Sequence, residues 1–293
     1  MRKMFLATAL LAPALAGAPA SAQTVAPPAP VETTPATMWN SEQFVLHSKS
    51  VGRDFLIQVA LPARAVAGKT PAVFLLDGNV NFGLAAPMIG LDSYGGTFEP
   101  AFVVAIGYPV KTKAEWEKLR QIDLTHLPLP PMLGQSVPPG SSGEGTAFER
   151  FLTTELRPLI EARYHDDPHR AILAGHSLGG LFAAHVLLND PGAFDAYLIG
   201  SPSIWAEPAL LAKAKNFVAP AKTRVFIGVG ADETLMFDDA FHMVGNSGTL
   251  AALLTGHTSN LDVRLEIFPG ESHVSSIPVL LERGFKFLLP PAP

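Results

Sequence analysis

The chain has 293 residues, 48% hydrophobic and 16% charged, with a formal net charge of −5 and no cysteine. This composition supplies a large apolar core and excludes disulfides, thiolate metal sites and a cysteine nucleophile. The mild negative charge leaves no basic stripe, so nucleic acid is not an expected partner.

Arg2 and Lys3 precede an apolar run over residues 4–16, and Ala20-Ser21-Ala22 follows as a small-residue cleavage site. The pattern predicts a secretory signal peptide over 1–22, too short and too Ala-rich for a stable membrane span. It places the mature protein in the periplasm or outside the cell. Residues 23–40 are rich in Pro, Ala and Thr and predict an extended linker. No later run is long and apolar enough to cross a bilayer, so the mature chain is expected to carry no integral membrane segment. Residues 41–290 have the length of one α/β domain.

Within that domain, residues 42–51 and 54–61 alternate apolar and polar around Gly52 and predict an antiparallel hairpin. Short apolar runs over 72–76, 101–106, 171–174, 196–200, 224–230 and 262–268 predict buried strands. Helical patterns fall between them, over 80–89, 111–119, 147–164, 178–189, 207–217, 249–255 and 274–289, with a kink or restart at Pro158. Residues 127–145 are crowded with Pro, Gly and Ser and predict a long irregular loop, which in a compact domain is functional or mobile. Alternating strands and helices predict an α/β fold, a mostly parallel central sheet with helices on both faces. Such sheets bind ligands at the C-terminal ends of their strands.

One of those ends carries Gly175-His176-Ser177-Leu178-Gly179 between a buried strand and an apolar helix. A sharp strand-to-helix turn there lifts the Ser177 hydroxyl clear of the sheet, and Gly175 and Gly179 are expected to keep the turn uncrowded. A serine nucleophile needs a base, an acid to orient the base, and donors for the oxyanion. The strand over 224–230 ends in Gly230-Ala231-Asp232-Glu233, which offers Glu233 as the favoured acid and Asp232 as the alternative. Among nine histidines, His273 stands in the loop after the last strand and is the expected base. The other histidines suggest less: His126 falls in irregular chain, His176 is the variable residue beside Ser177, and His185 reads as packed on the helix after it. The oxyanion donors are expected at the N–H of Leu178 and at the turn after strand 72–76, at Gly78 or, preferably, Asn79. No cluster has metal-ligand spacing and no Gly-rich phosphate loop is present, so neither metal nor cofactor is expected.

These pieces together resemble the esterase branch of the α/β-hydrolases, which holds siderophore trilactone esterases, S-formylglutathione hydrolases, feruloyl esterases and mycolyltransferases. The resemblance spans about residues 44–288. It is carried by Leu75-Leu76-Asp77-Gly78, Ile106-Gly107-Tyr108, Arg120-Gln121-Ile122-Asp123-Leu124-Thr125, residues 175–180, Ser201-Pro202-Ser203-Ile204-Trp205, residues 230–233 and His273. The Arg120 and Ser201 segments make it most similar to the exported siderophore esterases. The resemblance implies a serine ester hydrolase acting on a small-molecule ester through an acyl-enzyme, an acyltransferase or a formylglutathione or feruloyl esterase being the alternatives. It further implies Arg120 at the pocket mouth, drawing an anionic substrate, and Trp205 as an aromatic wall. The competing structural readings are an Arg120–Asp123 pair and a packed Trp205. Ala206 stands where such proteins often carry a second aromatic residue.

Overall fold

The buried strands are apolar on both faces because both faces are covered. In the computed structural model, which describes residues 38–256 and 260–291 apart from the side chains of residues 92–94 and 237, eight strands form one sheet in the order β1-β2-β4-β3-β5-β6-β7-β8. β1 (Ser41–Ser48) and β2 (Arg53–Ala60) are the expected hairpin, and β2 runs antiparallel to β4 (Phe102–Gly107). From β4 onward the pairing is parallel, through β3 (Ala72–Leu75), β5 (Ala171–His176), β6 (Ala196–Gly200), β7 (Thr223–Gly230) and β8 (Leu261–Phe268). This is the expected α/β-hydrolase architecture. The predicted signal peptide and linker up to residue 37 lie outside the described residues.

Successive strand residues point to opposite faces, and β3 shows the consequence. Phe74 joins a cluster with Phe55, Phe148, Phe151, Phe182 and Phe194 on one face, while Val73 and Leu75 join Phe82, Ile89, Leu280 and Phe285 on the other. α1 (Gly78–Gly95) and α8 (Ser276–Leu288) cover the second face. The first is covered by α5 (Leu178–Asn189), with help from residues 145–164 and α7 (Met243–Thr255). α5 is buried on nearly every side, which explains why it is apolar all round rather than amphipathic.

Several element bounds differ from the sequence-based expectation for local reasons. α2 spans Lys113–Asp123, starting at the Thr112 capping box with Glu115 and running a turn beyond the predicted end at residue 119. That extra turn puts Arg120 and Asp123 on a helix. Of the kink or restart expected at Pro158, the structure shows a restart: α3 (Gly145–Arg150) passes into a π-helical stretch, Phe151–Leu156, before α4 (Arg157–Tyr164) begins with Pro158 in its first turn. The wider turn, with Arg157 N–H donating to Leu152 O, accommodates a proline that cannot join the ordinary ladder. α6 is only Ala209–Ala214, and α7 begins well before residue 249 despite Gly245 and Gly248, because packing of Met243 and Leu250 outweighs their poor propensity. Residues 127–144 form the expected irregular loop. Its base is tied at Thr125, whose hydroxyl oxygen accepts from Gly143 N–H and whose carbonyl accepts from Gly145 N–H, both at 2.8 Å.

Candidate active site

Ser177 sits between β5 and α5 with φ 63° and ψ −118°, a backbone state that costs a residue with a Cβ. The fold holds it there. Ser177 N–H donates to Gly200 O at 2.9 Å, and Ser177 O accepts from Leu181 N–H at 2.9 Å and Ser203 N–H at 3.2 Å. The glycine requirement differs in part from the expected one. A Cβ on Gly175 would lie 2.3 Å from Gly179 O, and one on Gly180 would lie 2.3 Å from Gly200 O. A Cβ on Gly179 would find its nearest atom at 3.5 Å, so Gly180, not Gly179, is the second sterically required glycine.

Two helix starts meet beside Ser177. Leu178 opens α5 and Asn79 is the second residue of α1, so both N–H groups belong to the set that no intrahelical carbonyl can satisfy. The turns are neighbours, since the Cβ position of Gly179 is 3.5 Å from Asp77 Oδ2 and from Leu76 Cβ. The Asn79 side chain is fully engaged: Nδ2 donates to Tyr108 O at 2.9 Å and Oδ1 accepts from Tyr108 N–H at 2.7 Å. What the turn can offer is the Asn79 backbone, held in place by its own side chain.

β7 ends at Gly230, where a Cβ would lie 2.3 Å from Glu271 O; the bare glycine lets the 271–273 loop come close. That approach brings Glu233 and His273 together. His273 Nδ1 donates to Glu233 Oε2 at 2.7 Å, and Glu233 is 1% exposed. Glu233 Oε1 accepts from Gly230 N–H at 2.9 Å and from the Ser201 hydroxyl at 2.6 Å. The His273 partner is Glu233 and not Asp232, whose backbone N–H donates to Glu271 O at 3.0 Å. With Nδ1 carrying its proton to Glu233, Nε2 of His273 is left as the basic nitrogen. Among the described residues no hydrogen bond joins His273 Nε2 to Ser177 Oγ. The His176 ring packs 4.5 Å from that of His273, centroid to centroid. Burial holds the His176 imidazole well below its usual range, with charge on His273 and Arg120 adding to the effect, so a neutral ring lies against His273.

Arg120 is committed to a partner that sequence spacing did not suggest. Its Nε and Nη2 fork onto Asp77 Oδ1 and Oδ2 at 2.7 and 2.8 Å, and its guanidinium lies 4.9 Å from the Trp116 ring centroid. The Arg120 and Asp77 side chains are 14% and 4% exposed. The alternative Arg120–Asp123 pair does not form, because Asp123 is fully buried against Arg53, which donates to it. Burial raises Asp123 to about 6, an effect Arg53 opposes. Arg120 therefore braces the residue before Gly78 and Asn79, where Asp77 adopts φ 56°.

Trp205 is half-buried in the short 3₁₀ turn Ile204–Ala206, against Phe241 at 4.8 Å between ring centroids. Phe241, from a distant part of the chain, is thus an aromatic neighbour of Trp205. Two histidines judged unremarkable prove to be a buried pair: His126 and His185 stack at 3.5 Å with planes 4° apart. Each holds a carboxylate, His126 Nε2 on Glu149 at 2.9 Å and His185 Nδ1 on Glu207 at 3.0 Å. Among the described residues no group of three or more His, Asp or Glu side chains could hold a metal ion. The contacts of Ser201 with Glu233 and of Asp77 with Arg120 were missed by sequence reasoning, although both residues fall within segments that carry the family resemblance.

The model of the family described as "Putative esterase" matches residues 48–273. The ferri-bacillibactin esterase BesA of Bacillus subtilis is 33% identical, over 87% of this chain and 91% of its own. The siderophore triacetylfusarinine C esterase of Aspergillus fumigatus is 32% identical, over 86% and 94%. Among solved structures, the BES protein from Bacillus cereus superposes with a TM-score of 0.78 at 30% identity, over 89% of this chain and 99% of that one.

Proposed function

Because the chain belongs to the esterase family of the α/β-hydrolases and is a carboxylic-ester hydrolase, we propose that it cleaves the ester bonds of siderophores through an acyl-enzyme on Ser177. The observation that carries the mechanism is the 2.7 Å contact between His273 Nδ1 and the buried Glu233 carboxylate. It leaves Nε2 to take the Ser177 proton as Oγ attacks the ester carbonyl. The N–H groups of Leu178 and Asn79 stabilise the oxyanion, each such donor contributing roughly 3 kcal/mol to the transition state. Protonated His273 then gives its proton to the leaving alkoxide oxygen. Water enters, loses a proton to Nε2, and resolves the acyl-enzyme to acid and free Ser177. Every step uses side chains and backbone of this chain.

The siderophore substrate is supported by the relatives whose names state that activity and that match over most of their length. Trp205 and Phe241 form the aromatic wall of the substrate site. Export is the proposed destination of the chain, supported by the pattern of residues 1–22. A panel containing a triscatecholate trilactone, a cyclic hydroxamate triester, a neutral aryl ester and a feruloyl ester tests the substrate. The siderophore esters are expected to show the highest kcat/KM, and a preference for aryl or feruloyl esters would overturn the assignment. Ser177→Ala is expected to lower kcat by about 10⁴-fold or more with the fold intact; retained activity would overturn the mechanism.

A further inference from the structure

Ser201 follows β6 directly, is 1% exposed, and adopts φ 37°, a backbone state that suits glycine better than serine. Its N–H donates to Gly228 O at 2.7 Å, tying it to the strand that delivers the acid. Its hydroxyl donates to Glu233 Oε1 at 2.6 Å, while Oε2 of the same carboxylate faces His273. Two residues on, Ser203 N–H donates to Ser177 O at 3.2 Å, so one short segment touches both the acid and the nucleophile turn.

We propose that Ser201 is a positioning residue for ester hydrolysis, fixing the plane of the Glu233 carboxylate so that Oε2 meets His273. The terminal torsion of a glutamate is broad, and the Gly230 N–H alone leaves the carboxylate free to turn about a single contact. A second donor on the same oxygen, in a short O–H···O⁻ bond, removes that freedom. The buried carboxylate is then fully allocated, with Oε1 held by Gly230 and Ser201 and Oε2 held by the imidazole. The hydroxyl also explains why a residue with a Cβ occupies this backbone position.

The inference rests on the Ser177–His273–Glu233 reading, so Ser177→Ala is assayed alongside. Ser201→Gly removes the hydroxyl and suits the backbone, Ser201→Ala removes it without that relief, and Ser201→Cys keeps a weak donor of similar size. Each variant is first checked for a cooperative melt above the assay temperature. With a soluble aryl ester, kcat is expected to fall about 10- to 100-fold in the Gly and Ala variants, the scale of a hydrogen bond to a charged group, with the Cys variant between them and wild type and KM unchanged. The far-downfield Nδ1–H proton resonance of His273 is expected to shift or broaden in the Gly variant. Wild-type kcat in a folded Gly variant overturns the inference, as does a change in KM alone with the resonance unmoved. Full activity in Ser177→Ala would instead overturn the premise.

Discussion

At the residue scale, the acid and the arginine show what a sequence pattern resolves. Glu233 and Asp232 are adjacent carboxylates after the same strand, and successive side chains diverge. Only Glu233 reaches His273, at 2.7 Å. Glu233→Gln is therefore expected to lower kcat by about 10³- to 10⁴-fold, while Asp232→Ala stays near wild type in the same steady-state assay. A crippled Asp232→Ala with an active Glu233→Gln would reverse the assignment. Arg120 was legible as a notable residue but not as to its role, because Asp77 lies 43 positions away and no spacing rule links them. Its fork holds a buried carboxylate beside Gly78 and Asn79. Arg120→Ala would strand that carboxylate, costing roughly 3–5 kcal/mol of stability by denaturant titration. It is also expected to lower kcat/KM for neutral and anionic esters by similar factors; a loss confined to anionic esters would restore a direct substrate contact.

At the element scale, the nucleophile turn depends on how closely α5 can approach β6. Gly180→Ala would place a Cβ 2.3 Å from Gly200 O and push the helix away, whereas at Gly179 the nearest atom is 3.5 Å away. Gly180→Ala is expected to cost about 1–3 kcal/mol, with Gly179→Ala close to neutral, as read from denaturant midpoints. Equal effects at the two positions would contradict the geometry. The G-x-S-x-G spacing identified the turn but not which glycine the neighbouring strand requires, since that depends on a carbonyl from another element. The same limit applies to α2, whose start was set by the Thr112–Glu115 capping box, two residues after the expected one, and whose end was decided by the burial of Asp123.

At the scale of the whole molecule, the predictions concern pH and processing. Burial, aided by the adjacent His185, holds His126 below its ordinary range, with Glu149 opposing the shift. The folded state thus takes up a proton at His126 less readily than the unfolded chain. The stability this ring contributes is present above the unfolded value of about 6.5 and is lost as pH falls through that value toward the depressed folded one. The melting temperature is expected to drop between pH 7 and 5, and His126→Gln, which can still donate to Glu149, is expected to reduce the drop; an unchanged drop would place the acid sensitivity elsewhere. Mass spectrometry of the natively expressed protein is expected to find Gln23 at its start, and retention of residues 1–22 would refute the proposed export. The sequence by itself determined the alternation of strands and helices, the Ser177 turn and the chain order of Ser177, Glu233 and His273, to which we assign the nucleophile, acid and base. Each of these is written in local spacing, in periodicity, and in the glycines that a tight turn demands. Only the tertiary structure decided that Arg120 clasps Asp77, that Phe241 packs against Trp205, that His126 and His185 stack, and that Ser201 reaches Glu233. Those contacts join residues from separate strand ends and helices, and close packing of the sheet and its two helical layers sets which of them can touch.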